Sequence, residues 1–557
     1  MSPSQSLVYT YDARNRMETV TRTIDGALAQ VTRYAYDAAG NRREMQGADG
    51  TRTEYAYDAR HRLASLVKRT AAGALLVGMS YTVDASGLRT ALTESDPAGT
   101  TRSVAYTYDA LKRLTSEAIT HRDPTRNRTS TWTYDRVGNR LTQTVQTAQG
   151  TAGAATAATE YTYDANDRLT SETTTVGTAT AATLYTYDAN GNTVTKTTPS
   201  GPIEYVYDDA NRLAEMRQAS ERTTYAYDAD GLRIAQTRYP ATGAPVTTRY
   251  LQDPSYAYSQ VVEQWRKEGT GATQLEATYA FADDLIAQTR YAGAAATTSF
   301  VQADGFGSVR WLTGATGVIT DAVEYDAFGN EIGRQGATPI EHLYRGEQFD
   351  GGLGYYYLRA RWMDPAKGRF LGVDPFAGDP ASPQQSHDYL YVGADPINYS
   401  DPSGLFGIIG IVDIGLTQIY SSYGRARDAK RAYDVFDGVR RSLCRSCDSV
   451  MRTATHRHHL FPKFLSGSKV QDLYRLPEPI HQALHRLLHV ALIANGFPHP
   501  NGAKFAKIFA GDPNELGRAV KVLVHVTEFI DVTCIGKVRP PLTPRLKRIL
   551  RDHGIQP

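Results

Sequence analysis

The chain has 557 residues and a formal net charge of +2, and its 36 tyrosines and 47 glycines stand against 7 methionines. This length suits several domains or one large repeat assembly, and the tyrosines and glycines favour many short strands joined by turns over a helix bundle. No apolar run reaches the roughly 18 residues that a membrane-spanning helix needs, so we expect no stable membrane span.

The charge is divided unevenly along the chain. Residues 1–405 carry 38 basic and 47 acidic side chains, a formal −9, whereas residues 406–557 carry 23 basic and 12 acidic side chains, a formal +11. All three cysteines and nine of the thirteen histidines lie in the second part. An acidic body is therefore joined to a basic tail, and a basic tail favours a polyanionic partner.

The first residues contain no recognisable export signal. Met1–Asp12 has neither a basic start nor an apolar core, so we expect no secretory signal peptide. The acidic body has no cysteine, which favours synthesis in a reducing cytoplasm. We therefore expect that any export depends on a signal-independent machine.

A short aromatic motif, aromatic-x-Tyr-Asp, recurs along the acidic body at intervals of about 20 to 29 residues, a spacing typical of repeat proteins. The copies begin at Tyr9, Tyr34, Tyr55, Tyr106, Trp132, Tyr161, Tyr185, Tyr205 and Tyr225, with a degenerate copy at Tyr81.

Each repeat has the pattern of one β-hairpin. The two aromatic residues are two positions apart and so share one face of a strand, and the aspartate begins a turn. A polar strand such as the one that Arg140-Leu141-Thr142 opens then follows. Because a single hairpin is marginally stable, we expect the hairpins to join edge to edge into one strongly curved sheet. We expect the tyrosines to pack and hydrogen-bond inside it and not to bind a ligand.

This array resembles the YD repeats of the Rhs family, which also occur in toxin complex C components and in teneurins. The resemblance covers residues 1 to about 405. It implies a mainly β fold in which residues 1–340 form a hollow β-shell, a cocoon, around a C-terminal cargo.

Residues 341–405 contain a second set of motifs: Tyr344–Asp350, Gly354–Trp362, Asp364–Pro375 and, at the end, Asp401-Pro-Ser-Gly-Leu405. They resemble the Rhs-associated core. In that family the last motif marks self-cleavage after its leucine, which implies cleavage here between Leu405 and Phe406.

Hydrolysis of a peptide bond by carboxylates requires two of them close together, one protonated and one ionised. The residues that match are Asp401 and Asp374, with Arg369 as a charge that orients a carboxylate. Asp364 and Asp395 are alternatives for the second aspartate. The competing interpretation is that these Asp-Pro and Pro-x-Gly sequences are simply turns.

Residues 406–450 read as a linker followed by a basic helix. Cys444 and Cys447 form a lone CxxC that, with Cys534 and a histidine, is an alternative structural zinc site. Their role is left open.

The histidines of the tail form a denser pattern in Thr455-His-Arg-His-His459 and in Leu476–His489. His481 and His485 are four residues apart on a predicted helix, a spacing that suits one metal ion. His458 and His459 on a strand would face opposite sides, which leaves one imidazole free as a base.

This arrangement resembles the HNH and endonuclease VII superfamily, and implies a small α+β domain of ββα-metal type within residues 451–557. The resemblance makes His459 the general base and His458, His481 and His485 the ligands of a divalent ion, with Mg, Mn, Ni and Zn all open. The central asparagine of the full HNH pattern is missing. The alternative is a structural role, in which these histidines line a half-buried face of the domain and bind no metal.

The sequence therefore predicts a polymorphic toxin that is exported without a signal peptide by a secretion system such as type VI, and acts in the cytoplasm of competitor cells. We expect nucleic acid as the substrate, DNA ahead of RNA, and a cognate immunity protein and a component of the secretion machine as partners. The alternatives are a different toxic enzyme on the same shell and a non-enzymatic YD-repeat adhesion protein.

Overall fold

The computed structural model describes residues 5–24, 29–149, 153–256, 258–293, 295–375 and 387–405, together with two strands of the tail. The chain divides into two compact units, Met1–Ser421 and Ser422–Pro557. The expectations for Phe406, for the 406–450 linker with Cys444 and Cys447, for Cys534 and for His481 and His485 lie outside the described residues.

The described residues between 5 and 335 form one antiparallel sheet of 28 strands, in which each strand pairs with the strands before and after it in sequence. The predicted series of hairpins joined edge to edge is confirmed. In chain order the strands are β1 (Gln5–Tyr11), β2 (Met17–Ile24), β3 (Gln30–Tyr36), β4 (Arg42–Gln46), β5 (Arg52–Tyr57), β6 (Leu63–Arg69), β7 (Leu75–Val83), β8 (Arg89–Asp96), β9 (Gly99–Tyr108), β10 (Leu114–His121), β11 (Arg128–Tyr134), β12 (Arg140–Gln149), β13 (Gly153–Tyr163), β14 (Leu169–Val176), β15 (Ala179–Tyr187), β16 (Thr193–Thr198), β17 (Gly201–Tyr207), β18 (Leu213–Gln218), β19 (Glu221–Tyr227), β20 (Arg233–Tyr239), β21 (Val246–Asp253), β22 (Gln260–Glu268), β23 (Gln274–Phe281), β24 (Leu285–Ala292), β25 (Ala295–Ala303), β26 (Val309–Thr313), β27 (Ile319–Tyr325) and β28 (Glu331–Gln335).

The tyrosines hold successive repeats together. In seven repeats the hydroxyl of the second aromatic residue donates to a main-chain carbonyl of the preceding repeat, over 2.5–3.0 Å. Of the nine first aromatic residues, six are buried, among them Trp132 and Tyr205, and the other three, Tyr9, Tyr55 and Tyr185, are half-buried. The prediction that these rings pack and hydrogen-bond inside the sheet is confirmed. The seven donors are Tyr36, Tyr57, Tyr108, Tyr134, Tyr163, Tyr187 and Tyr227.

The sheet curves until its first strands meet its late ones. The buried Arg22 of β2 donates through Nη2 to the hydroxyls of Thr278 and Thr289, at 3.2 and 2.8 Å. Around it, Val20 and Tyr34 pack in one apolar cluster with residues of β23 to β25. The prediction of one strongly curved sheet is therefore confirmed.

A second, four-stranded sheet follows, with strands β29 (Gln348–Asp350), β30 (Tyr355–Leu358), β31 (Arg361–Asp364) and β32 (Arg369–Phe370). Its aromatic residues Tyr355, Tyr357 and Trp362 pack against Tyr205 and Tyr225 of the large sheet. This packing fixes the β30–β31 hairpin against the wall of the shell. Short 3-10 turns lie at Pro124–Arg126, Tyr344–Gly346 and Tyr391–Ala394.

In the tail, β33 (Thr455–His459) and β34 (Leu473–Pro477) form an antiparallel pair in which His458 lies opposite Tyr474 and His459 opposite Leu473. The strand expected for the His-His pair is present. Among the described residues no helix has the length and apolarity needed to span a bilayer. The enclosure of the tail by the shell stays a prediction.

Candidate active site

The segment that ends at Leu405 lies against the turn of the β30–β31 hairpin. The Ala360 amide donates to the Ser403 carbonyl at 3.1 Å. On either side, Arg359 Nη1 donates to the Pro402 carbonyl at 2.6 Å and Arg361 Nε donates to the Gly404 carbonyl. The hairpin thus holds the main chain just before the expected cleavage point.

Gly404 is the residue that allows this close approach. Its φ is +69°, and a Cβ there would lie 2.4 Å from the Leu358 carbonyl oxygen. Any other residue would push the segment away from the hairpin and would also adopt an unfavourable backbone conformation. This explains why the Asp-Pro-Ser-Gly-Leu motif requires its glycine.

Two of the predicted aspartates share one guanidinium. Arg361 Nη2 lies 2.6 Å from Asp374 Oδ2 and 3.7 Å from Asp401 Oδ2. The arginine is 7% exposed and Asp401 is 1% exposed, so water screens this cluster weakly. The cluster combines two carboxylates, one cation and the carbonyl that precedes Leu405.

Asp401 also shapes the loop that it belongs to. Its Oδ1 accepts hydrogen bonds from the Ser403 hydroxyl at 2.9 Å and from the Leu405 amide at 3.3 Å. The two interpretations of the motif are therefore compatible, because one carboxylate caps a turn with one oxygen and meets Arg361 with the other.

The two alternative aspartates have other partners. Asp364 lies 3.8 Å from Lys196 Nζ. Asp395 accepts hydrogen bonds from the Asn398 side chain at 2.9 and 3.0 Å, and burial raises its pKa to about 7. Asp374 is therefore the aspartate that the structure brings together with Asp401.

Arg369 does not occupy the position that the sequence suggested. It donates to the Asn139 side chain at 2.9 Å and to the Asp167 carbonyl, and its guanidinium lies over the Tyr163 ring. It thus pins β32 to the turns of the large sheet. The arginine between the two carboxylates is Arg361, eight residues earlier, on the neighbouring strand β31.

A third aspartate, Asp388, borders the cluster, and no motif in the sequence indicates it. Its carbonyl accepts from the Asp374 amide at 2.9 Å and from Arg361 Nη1 at 3.0 Å. Burial raises the pKa of its carboxyl, the nearby Asp167 adds to the rise, and Arg361 opposes it. In the sequence, only its position could have indicated a role for Asp388, because it lies 17 residues before Leu405 and directly after a polar spacer.

The histidines predicted for the tail are described in part. The structure places His458 and His459 on β33, paired with β34. A set of imidazoles is a donor set that suits Zn, Ni, Cu or Fe better than Mg. The predicted ligand set stays a prediction.

Comparisons with known families support the assignment of the large sheet as a YD-repeat shell. The Teneurin YD-shell family matches residues 78–258, and the RHS Repeat family matches residues 36–74.

Two curated toxins are related in sequence. The tRNA3(Ser)-specific nuclease WapA of Bacillus spizizenii is 27% identical over 216 residues, which cover 37% of this chain and 8% of that protein. Double-stranded DNA deaminase toxin A of Burkholderia cenocepacia is 25% identical over 228 residues, which cover 36% and 15%. The chain thus spans a small fraction of the length of these relatives.

Among solved structures, the crystal structure of TcdB2-TccC3-Cdc42 superposes with a TM-score of 0.55 at 19% identity. The match covers 72% of this chain and 20% of that one. It shows that the two proteins share the fold of the shell.

Proposed function

The chain belongs to the Rhs/YD-repeat family, and on this premise we propose that it is a toxin precursor that cuts itself after Leu405 and frees a C-terminal nuclease. The shell holds the basic tail until delivery to a competitor cell. The observation that carries the proposal is the single guanidinium of Arg361, which contacts Asp374, Asp401 and the carbonyl of Gly404.

The cleavage is a hydrolysis at the Leu405 carbonyl carbon. A water oxygen bonds to that carbon while an ionised carboxylate takes the water proton. The bond to the Phe406 nitrogen then breaks, and a protonated carboxyl gives that nitrogen its proton. The products are a new carboxylate on Leu405 and a new amine on Phe406, so no further reactant is needed.

The environment divides the roles between the carboxyls. Asp374 forms the closer ion pair with Arg361, which favours its ionised form and the part of the base. Asp401 and Asp388 are the groups that remain to supply the proton. A cation between like charges keeps the cluster stable while one carboxylate changes its protonation.

The full chain tests this step directly. We expect the Asp374→Asn and Asp401→Asn variants to migrate as one band of full length, and the unchanged chain to migrate as two fragments. Asp364→Asn is the matched control, because Asp364 contacts Lys196 and not Arg361. Complete cleavage of the Asp374→Asn variant would contradict the proposed aspartyl mechanism.

For the tail we propose a metal-dependent nuclease. His459 accepts a proton from the attacking water, and His458, His481 and His485 hold a divalent ion. Strand β33 supports two different roles for the adjacent histidines, because neighbouring residues of a strand alternate between its faces. The ion, when bound, supplies stabilisation of negative charge on the phosphate.

The substrate class is nucleic acid. The formal charge of +11 on residues 406–557 favours a polyanion, and the relatives named above include a tRNA nuclease and a DNA deaminase. The sequence favours DNA as the substrate, whereas the WapA relatives are named for tRNA. A cognate immunity protein would be acidic where it meets the tail.

The nuclease is tested with plasmid DNA and with total tRNA as parallel substrates. We expect the cleaved protein to degrade one of them, and His459→Ala or a chelator to abolish the degradation. His499→Ala is the control, because His499 lies outside the two histidine motifs. If the His459→Ala variant keeps its full toxicity to cells, the tail is a toxic enzyme of a different kind.

A further inference from the structure

Arg359 has a backbone conformation that arginine rarely adopts. With Ala360 it forms the two-residue turn between β30 and β31, in which Leu358 pairs with Arg361. The φ of Arg359 is +62°, in the left-handed region that glycine and asparagine occupy more readily than arginine does. Glycine would therefore suit this turn better, and the turn itself gives no reason for an arginine at this position.

The side chain of Arg359 lies between three acceptors. Its Nη1 donates to Glu347 Oε2 at 2.7 Å and to the Pro402 carbonyl at 2.6 Å. Its Nε donates to the carbonyl of Ser259, directly before β22, at 3.1 Å. The side chains of Arg359 and Glu347 are each 11% exposed, so water screens this ion pair weakly. The guanidinium is thus held from two sides, and it holds the Pro402 carbonyl in turn.

Pro402 transmits this constraint to Asp401. The ring of a proline fixes its φ near −65°, so a proline whose carbonyl is also held has little freedom of rotation left. The backbone on both sides of Pro402 is then fixed. Asp401 depends on this, because its Oδ2 lies 3.7 Å from Arg361 Nη2, close to the 4 Å limit of an ion pair. A small shift of the backbone would break that contact.

The two arginines of the hairpin hold residues 401–405 in the same way. Arg359 is paired with Glu347 at 2.7 Å, and Arg361 is paired with Asp374 at 2.6 Å. Each arginine also donates to one main-chain carbonyl of the segment. Arg361 contacts both aspartates of the candidate site, whereas Arg359 contacts the segment and a carboxylate outside that site. Holding the segment is therefore the function left for Arg359.

We propose that Arg359 is a positioning residue for the self-cleavage. Glu347 holds its guanidinium, and the guanidinium fixes the Pro402 carbonyl. Asp401 is thereby kept within reach of Arg361. The inference rests on the proposed self-cleavage. Arg359 exchanges no proton and forms no covalent bond, and it acts on the reacting groups only through the backbone of the segment.

The test compares cleavage with stability in the full chain, made by cell-free translation and followed on gels. The double variant Glu347→Gln with Arg359→Gly removes both charges of the buried pair and relieves the turn. We expect it to cleave about tenfold more slowly, because the Pro402 carbonyl loses its donor. Its thermal unfolding midpoint should stay within a few degrees of that of the unchanged chain. The midpoints are compared in an Asp374→Asn background, so that no chain is cleaved.

Lys112→Gly is the matched control for the turn. Lys112 has a φ of +63° in a hairpin turn of the large sheet, so glycine relieves the same backbone conformation there. We expect this variant to cleave at the unchanged rate.

Arg359→Lys distinguishes positioning from a structural role. The lysine keeps a charge for Glu347 and a donor for the Pro402 carbonyl, but it also keeps the unfavourable backbone conformation. We expect it to cleave about threefold faster than the double variant, although its unfolding midpoint is no higher.

Two results would overturn the inference. One is cleavage of the double variant at the unchanged rate. The other is cleavage of Arg359→Lys as slow as that of the double variant, which would show that the donor and the charge do not matter. If the unchanged chain does not cleave, or Asp374→Asn cleaves normally, the proposed function itself fails.

Discussion

At the scale of single residues, Arg361 is the centre of the candidate active site. Its guanidinium contacts Asp374 and Asp401, while its Nε donates to the Gly404 carbonyl. Water screens the repulsion between two buried carboxylates poorly. A cation between them offsets that repulsion, so both can lie in the same buried site. One side chain therefore contacts both aspartates that we propose as the reacting groups and the segment that ends at Leu405.

This role predicts different outcomes for two buried arginines. Arg361→Gln should abolish self-cleavage, because the aspartates lose the charge that holds them together. Arg369→Gln is the matched control, since Arg369 is equally buried but contacts Asn139 and the Asp167 carbonyl. Both variants should be less stable by about 3 kcal/mol. Gel analysis of fragments with circular dichroism checks this, and loss of cleavage in the Arg369 variant alone would contradict it.

A second prediction concerns the pH dependence of stability. Burial raises the pKa of Glu117, and the neighbouring Asp326 raises it further. The stability that Glu117 contributes is therefore fully present below the ordinary glutamate pKa and is lost as pH rises through the raised value. Arg102 and Arg128 partly oppose the rise.

The variant that removes this titration is Glu117→Gln. At pH 8 we expect it to unfold with a free energy about 1–3 kcal/mol higher than the unchanged chain, because no charge then has to be buried. At pH 4 the two chains should differ little, since the glutamate is neutral there. Denaturant unfolding at both pH values checks the prediction. An equal difference at pH 4 and pH 8 would contradict it.

At the scale of elements, the aspartate of each YD motif organises its hairpin. Asp58 Oδ1 accepts from the amides of Arg60 and Arg62, and its Oδ2 accepts from Arg62 Nε at 2.7 Å. Arg62 then reaches the next repeat, where it donates to the Asp84 carbonyl at 3.1 Å. The aspartate thus closes its own turn and, through arginine, links it to the next.

Asp58→Ala should therefore lower the unfolding free energy by about 1–2 kcal/mol. Asp209→Ala is a suitable control, because Asp209 is an exposed residue in the turn of another repeat. Chemical denaturation of both variants gives the comparison. Equal stability of the two would mean that the aspartates of the motif contribute through something other than these bonds.

The elements were predictable from the sequence because their interactions are local. The aromatic pair, the aspartate and the turn all lie within a few residues, so the spacing alone predicts a hairpin. The candidate site was predictable in part, because Asp374 and Asp401 both lie in motifs of the sequence. Arg361 and Asp388 join them through ion pairs and hydrogen bonds between residues 13 to 40 positions apart in the sequence, which no local pattern records.

At the scale of the whole shell, the contact between early and late strands limits the curvature. Arg22 joins Gln5 of β1 to Thr278 and Thr289 of the late strands. Burial lowers its pKa to about 10, so it keeps its charge at neutral pH. Arg22 has no equivalent in the repeat motif, so no local pattern in the sequence distinguishes it from the other arginines.

Arg22→Met should loosen that contact while it leaves the pairing of neighbouring hairpins intact. We expect faster amide hydrogen exchange in β1 to β3 and in β23 to β25, and unchanged exchange in β12 to β16. Arg217→Met is the control, because Arg217 is an exposed arginine of the same sheet. Uniformly faster exchange over all strands would show that the contact between the early and late strands does not open as a separate unit.

We propose above all that the aspartates of this chain cut it between Leu405 and Phe406. The most direct measurement is intact mass spectrometry of the full chain after expression, with N-terminal sequencing of the smaller fragment. We expect one fragment that ends at Leu405 and one that begins at Phe406, both absent from Asp374→Asn. A single intact species, or a cut elsewhere that persists in Asp374→Asn, would contradict it.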